Sequence, residues 1–252
     1  MIDKLVTVLI PTSVIPSHPS TSIIEETLQS IAWHLPKSRM IILADGLRDE
    51  QKDAAPRYST YLYKLNQLLL SEWRSTKEGD TFSRRIYEWN RHTHQVGMLR
   101  DVLSEVTTPY IIFVEHDTPL VKRPIEWDAI YMELAAGTVN SVRFLPDPQI
   151  LECHEHLMGQ TIETSRLRLR ETIQFSARPH IATVDFYKKI LSYFSPEAKA
   201  FVEDGIYTHC VNAPWSEFKL AIYLDPKGKD SKFSYHLDGR AASRKFDELQ
   251  VF

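Results

Sequence analysis

Glu115, His116 and Asp117 close the stretch Tyr110–Leu120, YIIFVEHDTPL, and are the residues of this chain most plainly equipped for chemistry. On an extended chain, side chains one residue apart point the same way, so Glu115 and Asp117 would present two carboxylates together. Beside an apolar run such a pair needs a partner, and a divalent cation is the simplest one. A second reading stands beside it, since Asp-Thr-Pro is also good turn chemistry and the strand could simply end in a charged turn. Upstream, Arg100 sits early in a helical stretch that feeds this strand, where a cation or a helix N-terminus could face a phosphate. His92 and His94 precede that helix and read either as a solvated loop or as ligands.

The elements that must position these residues follow from the apolar runs. Tyr110–Val114 is uninterrupted and β-branched or aromatic, which suits a strand buried on both faces in a parallel sheet. Leu5–Ile10 (LVTVLI) and Met40–Ala44 (MIILA) are two more such runs, the first stopped by Pro11 and Thr12, the second by Asp45 and Gly46. Between them, Ser20, Thr21 or Ser22 can cap a helix with Glu25 and Glu26 in its first turn and Ile24, Leu28 and Ile31 at helical spacing, ended by Pro36. Strands separated by helices predict successive βα units, and ligands in such sheets bind at the carboxyl ends of the strands, where the acids fall. Tyr58–Leu70 and Met98–Val106 read as helices. Ser71–Asn90, with Trp73, Gly79, Asp80 and Trp89, reads as a long excursion near the site rim.

The second half predicts a helix at Trp127–Ala136, a strand at Ser141–Leu145 and an exposed strand over Thr161–Thr172. A helix over Phe186–Phe194 follows the Arg178-Pro179-His180 stretch. Pro196–Phe201 begins a short helix ending at Val202–Gly205. Strands are expected at Phe218–Leu224 and Phe233–His236, and a polar tail closes the chain. The loop Ser13–Pro19 holds neither a Rossmann glycine fingerprint nor a P-loop.

Composition narrows the class. The chain has 252 residues, 25% charged and 43% hydrophobic, as in ordinary globular proteins. A formal charge of −3 offers no electrostatic case for nucleic acid. No apolar stretch reaches the ~20 residues that span a bilayer, and the N-terminus lacks the pattern of a signal peptide, so a cytoplasmic protein without a transmembrane segment is expected. Cys153 and Cys210 have no paired spacing and predict free thiols.

VTVLIPT at 6–12, IILADG at 41–46, YIIFVEHD at 110–117 and VEDGIY at 202–207 together resemble the GT-A glycosyltransferases, most of all the inverting family 2 group. The resemblance implies a single α/β domain with a Rossmann-like, mixed, mostly parallel sheet flanked by helices. Residues 1–120 would form the nucleotide-sugar half and 121–252 the acceptor half. By the same resemblance Pro11 and Thr12 edge the nucleotide pocket and Asp45 contacts the nucleoside base. Glu115, His116 and Asp117 stand where the family has Asp-x-Asp, binding ribose and metal, with Glu115 in place of an aspartate. Glu203 and Asp204 match the pair that supplies the general base, and His236 resembles the histidine that closes the metal site in several GT-A families. Arg100 joins the donor-binding set, and Trp215 with Arg178–His180 could shape the acceptor pocket.

Sugar transfer needs the charge of a departing nucleoside diphosphate neutralised, which oxygen ligands holding Mn²⁺ or Mg²⁺ accomplish. It also needs a carboxylate to take the acceptor hydroxyl's proton. The expected partners are a nucleotide-diphosphate sugar and a glycan or other hydroxyl-bearing acceptor. Two alternatives remain at this level: a sugar-phosphate nucleotidyltransferase, or a non-catalytic module that binds a nucleotide sugar.

Overall fold

A computed structural model describes residues 2–72 and 84–237. Nine strands form one sheet in the order β3-β2-β1-β4-β8-β5-β9-β7-β6. Its first half is parallel. β1 (Val6–Thr12) pairs on one side with β2 (Arg39–Ala44) and on the other with β4 (Tyr110–Phe113), and β3 (Arg84–Glu88) adds to the β2 edge. The three apolar runs are therefore the three central strands of this half, and every residue of β1 and β4 is buried.

Past β4 the direction alternates. β8 (His180–Thr183) runs antiparallel between β4 and β5 (Ser141–Phe144), and β9 (Leu220–Leu224) pairs parallel with β5. The hairpin of β6 (Met158–Glu163) and β7 (Arg168–Thr172) packs antiparallel against β9. Among the described residues only β8 and β7 oppose the common direction, which is the mixed, mostly parallel sheet expected.

Helices cover both faces because side chains alternate along each strand. Val6, Val8, Ile10, Tyr110 and Ile112 face one core, closed by α1 (Ser22–His34), α2 (Ala55–Glu72) and α4 (Trp127–Ala135). Leu9, Ile111 and Phe113 face the other, closed by α3 (His94–Leu103), α5 (Val184–Leu191) and α6 (Val202–Asn212). Thr21 occupies the N-cap of α1, though its hydroxyl reaches the Glu25 carboxylate rather than a backbone N–H. Among the described residues, no helix is long and apolar enough to cross a membrane.

Four expectations are corrected. Arg84–Glu88 is not part of an excursion but the edge strand β3, half-exposed and mostly polar, which hides it from a search for apolar runs. The rest of that stretch, with Trp73, Gly79 and Asp80, lies outside the described residues, as does the polar tail. β8 went unseen because four residues next to Arg178-Pro179 carry little pattern of their own. Thr161–Thr172 is not one strand but the end of β6, a turn and β7. Pro196–Phe201 is not helical, and α6 starts at Val202, where the short helix was expected to finish. Phe233–His236 makes one isolated bridge, Ser234 to Leu120, rather than a strand.

Candidate functional site

At the carboxyl ends of β1, β2 and β4 lies a cleft of about 870 Å³. Pro11, Thr12, Asp45, Glu115, His116, Asp117, Glu203, Asp204 and His236 all line it, so nine of the ten residues expected at the site meet in one place. Glu115–Asp117 is a turn, with Thr118 N–H donating to Glu115 O at 3.0 Å, and both carboxylates still face the cleft. The turn is held from α1, where the Thr27 hydroxyl donates to His116 O at 2.7 Å and Ser30 Oγ accepts from Leu120 N–H at 3.1 Å.

His236 arrives from the far end of the chain. Segment 233–237 runs antiparallel to 117–121, with Val121 N–H on Phe233 O at 2.9 Å, Tyr235 N–H on Pro119 O at 3.1 Å and Leu237 N–H on Asp117 O at 2.7 Å. That pairing sets His236 Nε2 3.4 Å from Asp117 Oδ2. Glu115 is half-buried and its pKa is pushed up to about 8, first by desolvation and then by the charges of Asp117 and Glu203, with Arg178 and the Gln95 hydrogen bond offsetting in part. Surplus negative charge of this kind suits a cation. Asp117 and His236 offer an oxygen and an imidazole donor, a set that fits Mn²⁺ or Mg²⁺ if diphosphate oxygens complete the shell. Among the described residues no three such side chains yet converge on one point.

Gln95, at the start of α3, escaped the sequence reading. Its Nε2 donates to Glu115 Oε1 at 3.1 Å, and its Oε1 accepts from Val202 N–H at 3.0 Å. That N–H is one of the orphans at the N-terminus of α6, so a single amide ties the strand end to the helix carrying Glu203 and Asp204. Glu203 Oε2 accepts from Ala177 N–H at 2.7 Å and Ser176 Oγ at 3.1 Å. Asp204 is exposed in the cleft and makes no hydrogen bond or ion pair among the described residues. Gly205 has a structural reason of its own: a Cβ there would enter the Phe194 ring.

Asp45 is buried, and its carboxylate is fully engaged within the protein. Oδ1 accepts from Gly46 N–H at 2.9 Å and Thr93 N–H at 2.7 Å, while Oδ2 accepts from His94 N–H at 3.0 Å and lies 2.8 Å from His92 Nδ1, an ion pair when that imidazole is protonated. These bonds hold His94 at a φ of 63°. Gly46 lets the loop close in, since a Cβ would collide with the Arg91 backbone.

Arg100 is a site expectation that the structure corrects. Its guanidinium turns away from the cleft to the carbonyls of Pro196 at 2.7 Å, Phe194 at 3.3 Å and Leu191 at 3.4 Å, acceptors left over where α5 ends. Trp215 also lies elsewhere, donating to Leu220 O at 2.8 Å and packing on the core. Arg178 does line the cleft, and His180 is buried away from it.

At the level of sequence, no protein-family model and no curated protein matches this chain. Solved structures do match in three dimensions. GalNAc-T7, with UDP, GalNAc and Mn²⁺, superposes on 93% of this chain at a TM-score of 0.57 and 11% identity. S. aureus TarS residues 1–349, with UDP-GlcNAc, covers 99% at 0.54 and 11%. The mannosyltransferase PcManGT from Pyrobaculum calidifontis, with GDP-Man and Mn²⁺, covers 88% at 0.51 and 15%. The fold is that of the GT-A glycosyltransferases. The chain spans less than two thirds of each, 44%, 62% and 56% of their lengths.

Proposed function

We propose that this GT-A chain is a glycosyltransferase that moves a sugar from a nucleotide-diphosphate donor to an acceptor hydroxyl with inversion. The observation that carries the reading is the meeting, in one cleft, of the Asp117–His236 pair with the Glu203–Asp204 pair at the carboxyl ends of parallel strands. The three structural neighbours were solved with nucleotides or nucleotide sugars, which supports a donor of that class.

Pro11, Thr12 and His116 would line the donor side of the cleft. Asp117, Glu115 and His236 would hold Mn²⁺ or Mg²⁺. The cation's contribution is to neutralise the departing diphosphate. Glu203, fixed by Ser176 and Ala177, orients the start of α6 and is the weaker candidate for the base. Asp204, free and solvated, takes the proton from the acceptor hydroxyl as it attacks the anomeric carbon from the face opposite the diphosphate.

Asp204→Asn should lower transfer by ~10²–10⁴-fold with nucleotide binding nearly unchanged, and Glu203→Gln should cost less. A panel of nucleotide sugars, assayed with and without Mn²⁺, reads this out. A larger loss in Glu203→Gln would exchange the two roles, and a product retaining the donor's anomeric configuration would sink the mechanism.

A further inference from the structure

We propose that the acceptor of this reaction carries phosphate groups and enters by a second, basic groove that opens off the cleft, an assignment that rests on the glycosyl-transfer reading above. The groove has a volume of about 740 Å³ and shares Arg48, His92 and His94 with the cleft, so the two are continuous. Its other basic lining residues are Lys52, Arg91 and Lys199, against two acids, Asp49 and Glu50. Asp49 is already paired with Lys52 at 3.0 Å. The side chains of Arg91 and Lys199 make no hydrogen bond or ion pair among the described residues. Among the described residues, these cations gather at one mouth of a chain whose net charge is −3.

The cleft beyond has the opposite sign, with Asp117, Glu203 and Asp204 against Arg178. A phosphate-bearing acceptor is attracted to the mouth and repelled by the inner wall. Its charged part therefore stays in the groove while an uncharged hydroxyl end goes forward to Asp204. A neutral acceptor would gain nothing from this polarity. The wall between the two spaces is also preformed, because Asp45 holds Gly46, Thr93 and His94 by three hydrogen bonds and lies against His92. Cations on such a loop bind without first ordering it.

The test uses the full chain and its Arg91→Glu/Lys199→Glu variant, both substitutions at exposed positions outside the cleft. Inorganic tripolyphosphate is titrated in low salt with EDTA, UDP or GDP with Mn²⁺ is measured separately by thermal shift, and the tripolyphosphate titration is repeated without EDTA on protein saturated with UDP or GDP and excess Mn²⁺. The expected result is tripolyphosphate affinity lower by about tenfold in the variant, with the nucleotide shift unchanged and no competition between the two ligands. Equal tripolyphosphate affinity in both proteins, or displacement of tripolyphosphate by nucleotide, would overturn the acceptor assignment. Absence of any nucleotide shift in the wild type would instead overturn the donor reading, and this assignment with it.

Discussion

Gln95 is a neutral amide with no motif around it, yet it joins the two acidic ends of the site. Gln95→Leu leaves the Val202 N–H and the Glu115 carboxyl without their partner, and should cost about 1–3 kcal/mol in denaturant unfolding. Gln95→Glu keeps an acceptor for Val202 but sets a carboxylate against Glu115, so it should recover only part of that loss. Equal midpoints for wild type and Gln95→Leu would show the bridge to be energetically idle. Asp45 poses the same question in sharper form. It was expected to meet the nucleoside base, and the contacts of its carboxylate in the structure go to Gly46 and to the segment 92–94 before α3. Asp45→Ala strands several donors and should destabilise the fold by roughly 3 kcal/mol or more. A variant of unchanged stability that binds nucleotide more weakly would return Asp45 to the base.

α6 and segment 233–237 are the elements on which the site turns. α6 packs through Gly205 against Phe194, so Gly205→Ala should tilt the helix and carry Glu203 and Asp204 with it. Transfer should fall while the nucleotide-induced thermal shift persists, because the donor side of the sheet is untouched. Gly205→Ala/Phe194→Leu, which makes room for the methyl, should regain activity. Segment 233–237 bears on the metal. A ligand that binds only the folded state raises its stability by RT ln(1 + [L]/Kd), so nucleoside diphosphate and Mn²⁺ together should raise Tm more than the sum of their separate shifts. Asp117→Asn should remove this synergy and His236→Ala should weaken it. A full synergistic shift in Asp117→Asn would end the metal assignment.

For the molecule as a whole, buried neutral histidines tie stability to pH. His180 is wholly enclosed, and its Nδ1 lies 2.7 Å from Arg178 O, which can only accept. The proton therefore sits on Nδ1, and Nε2 accepts from the Tyr187 hydroxyl at 2.7 Å. Burial pushes the His180 pKa down to about 4 and that of His18, stacked on Tyr61, down to about 3. Unfolded histidines titrate near ~6.5, so as pH falls below that value the unfolded chain takes up protons first. The contribution of both groups is complete above that pH and drains away as pH drops toward 4 and then 3. Urea midpoints at pH 7.5 and pH 5 should differ more in wild type than in His180→Gln. Equal differences would mean that His180 is not part of the acid response.

The runs at Leu5–Ile10, Met40–Ala44 and Tyr110–Val114 became β1, β2 and β4 because burial on both faces is a local property written into consecutive residues. Acids placed directly after such runs had to fall on the carboxyl edge of the sheet, so Asp45, Glu115 and Asp117 were legible without coordinates. The sequence could not say which way Arg100 turns, since both sides of α3 were open to it until the carbonyls ending α5 packed alongside. It could not find β3 or β8, whose few mixed residues become strands only because the neighbouring edges offer hydrogen bonds. His236 was legible only by resemblance, and its place beside Asp117 depends on the pairing of segments more than a hundred residues apart. Local pattern determined the strands and the acids at their ends. Sheet order and helix packing decided which side chains meet, because contacts between distant segments depend on geometry that no short stretch contains.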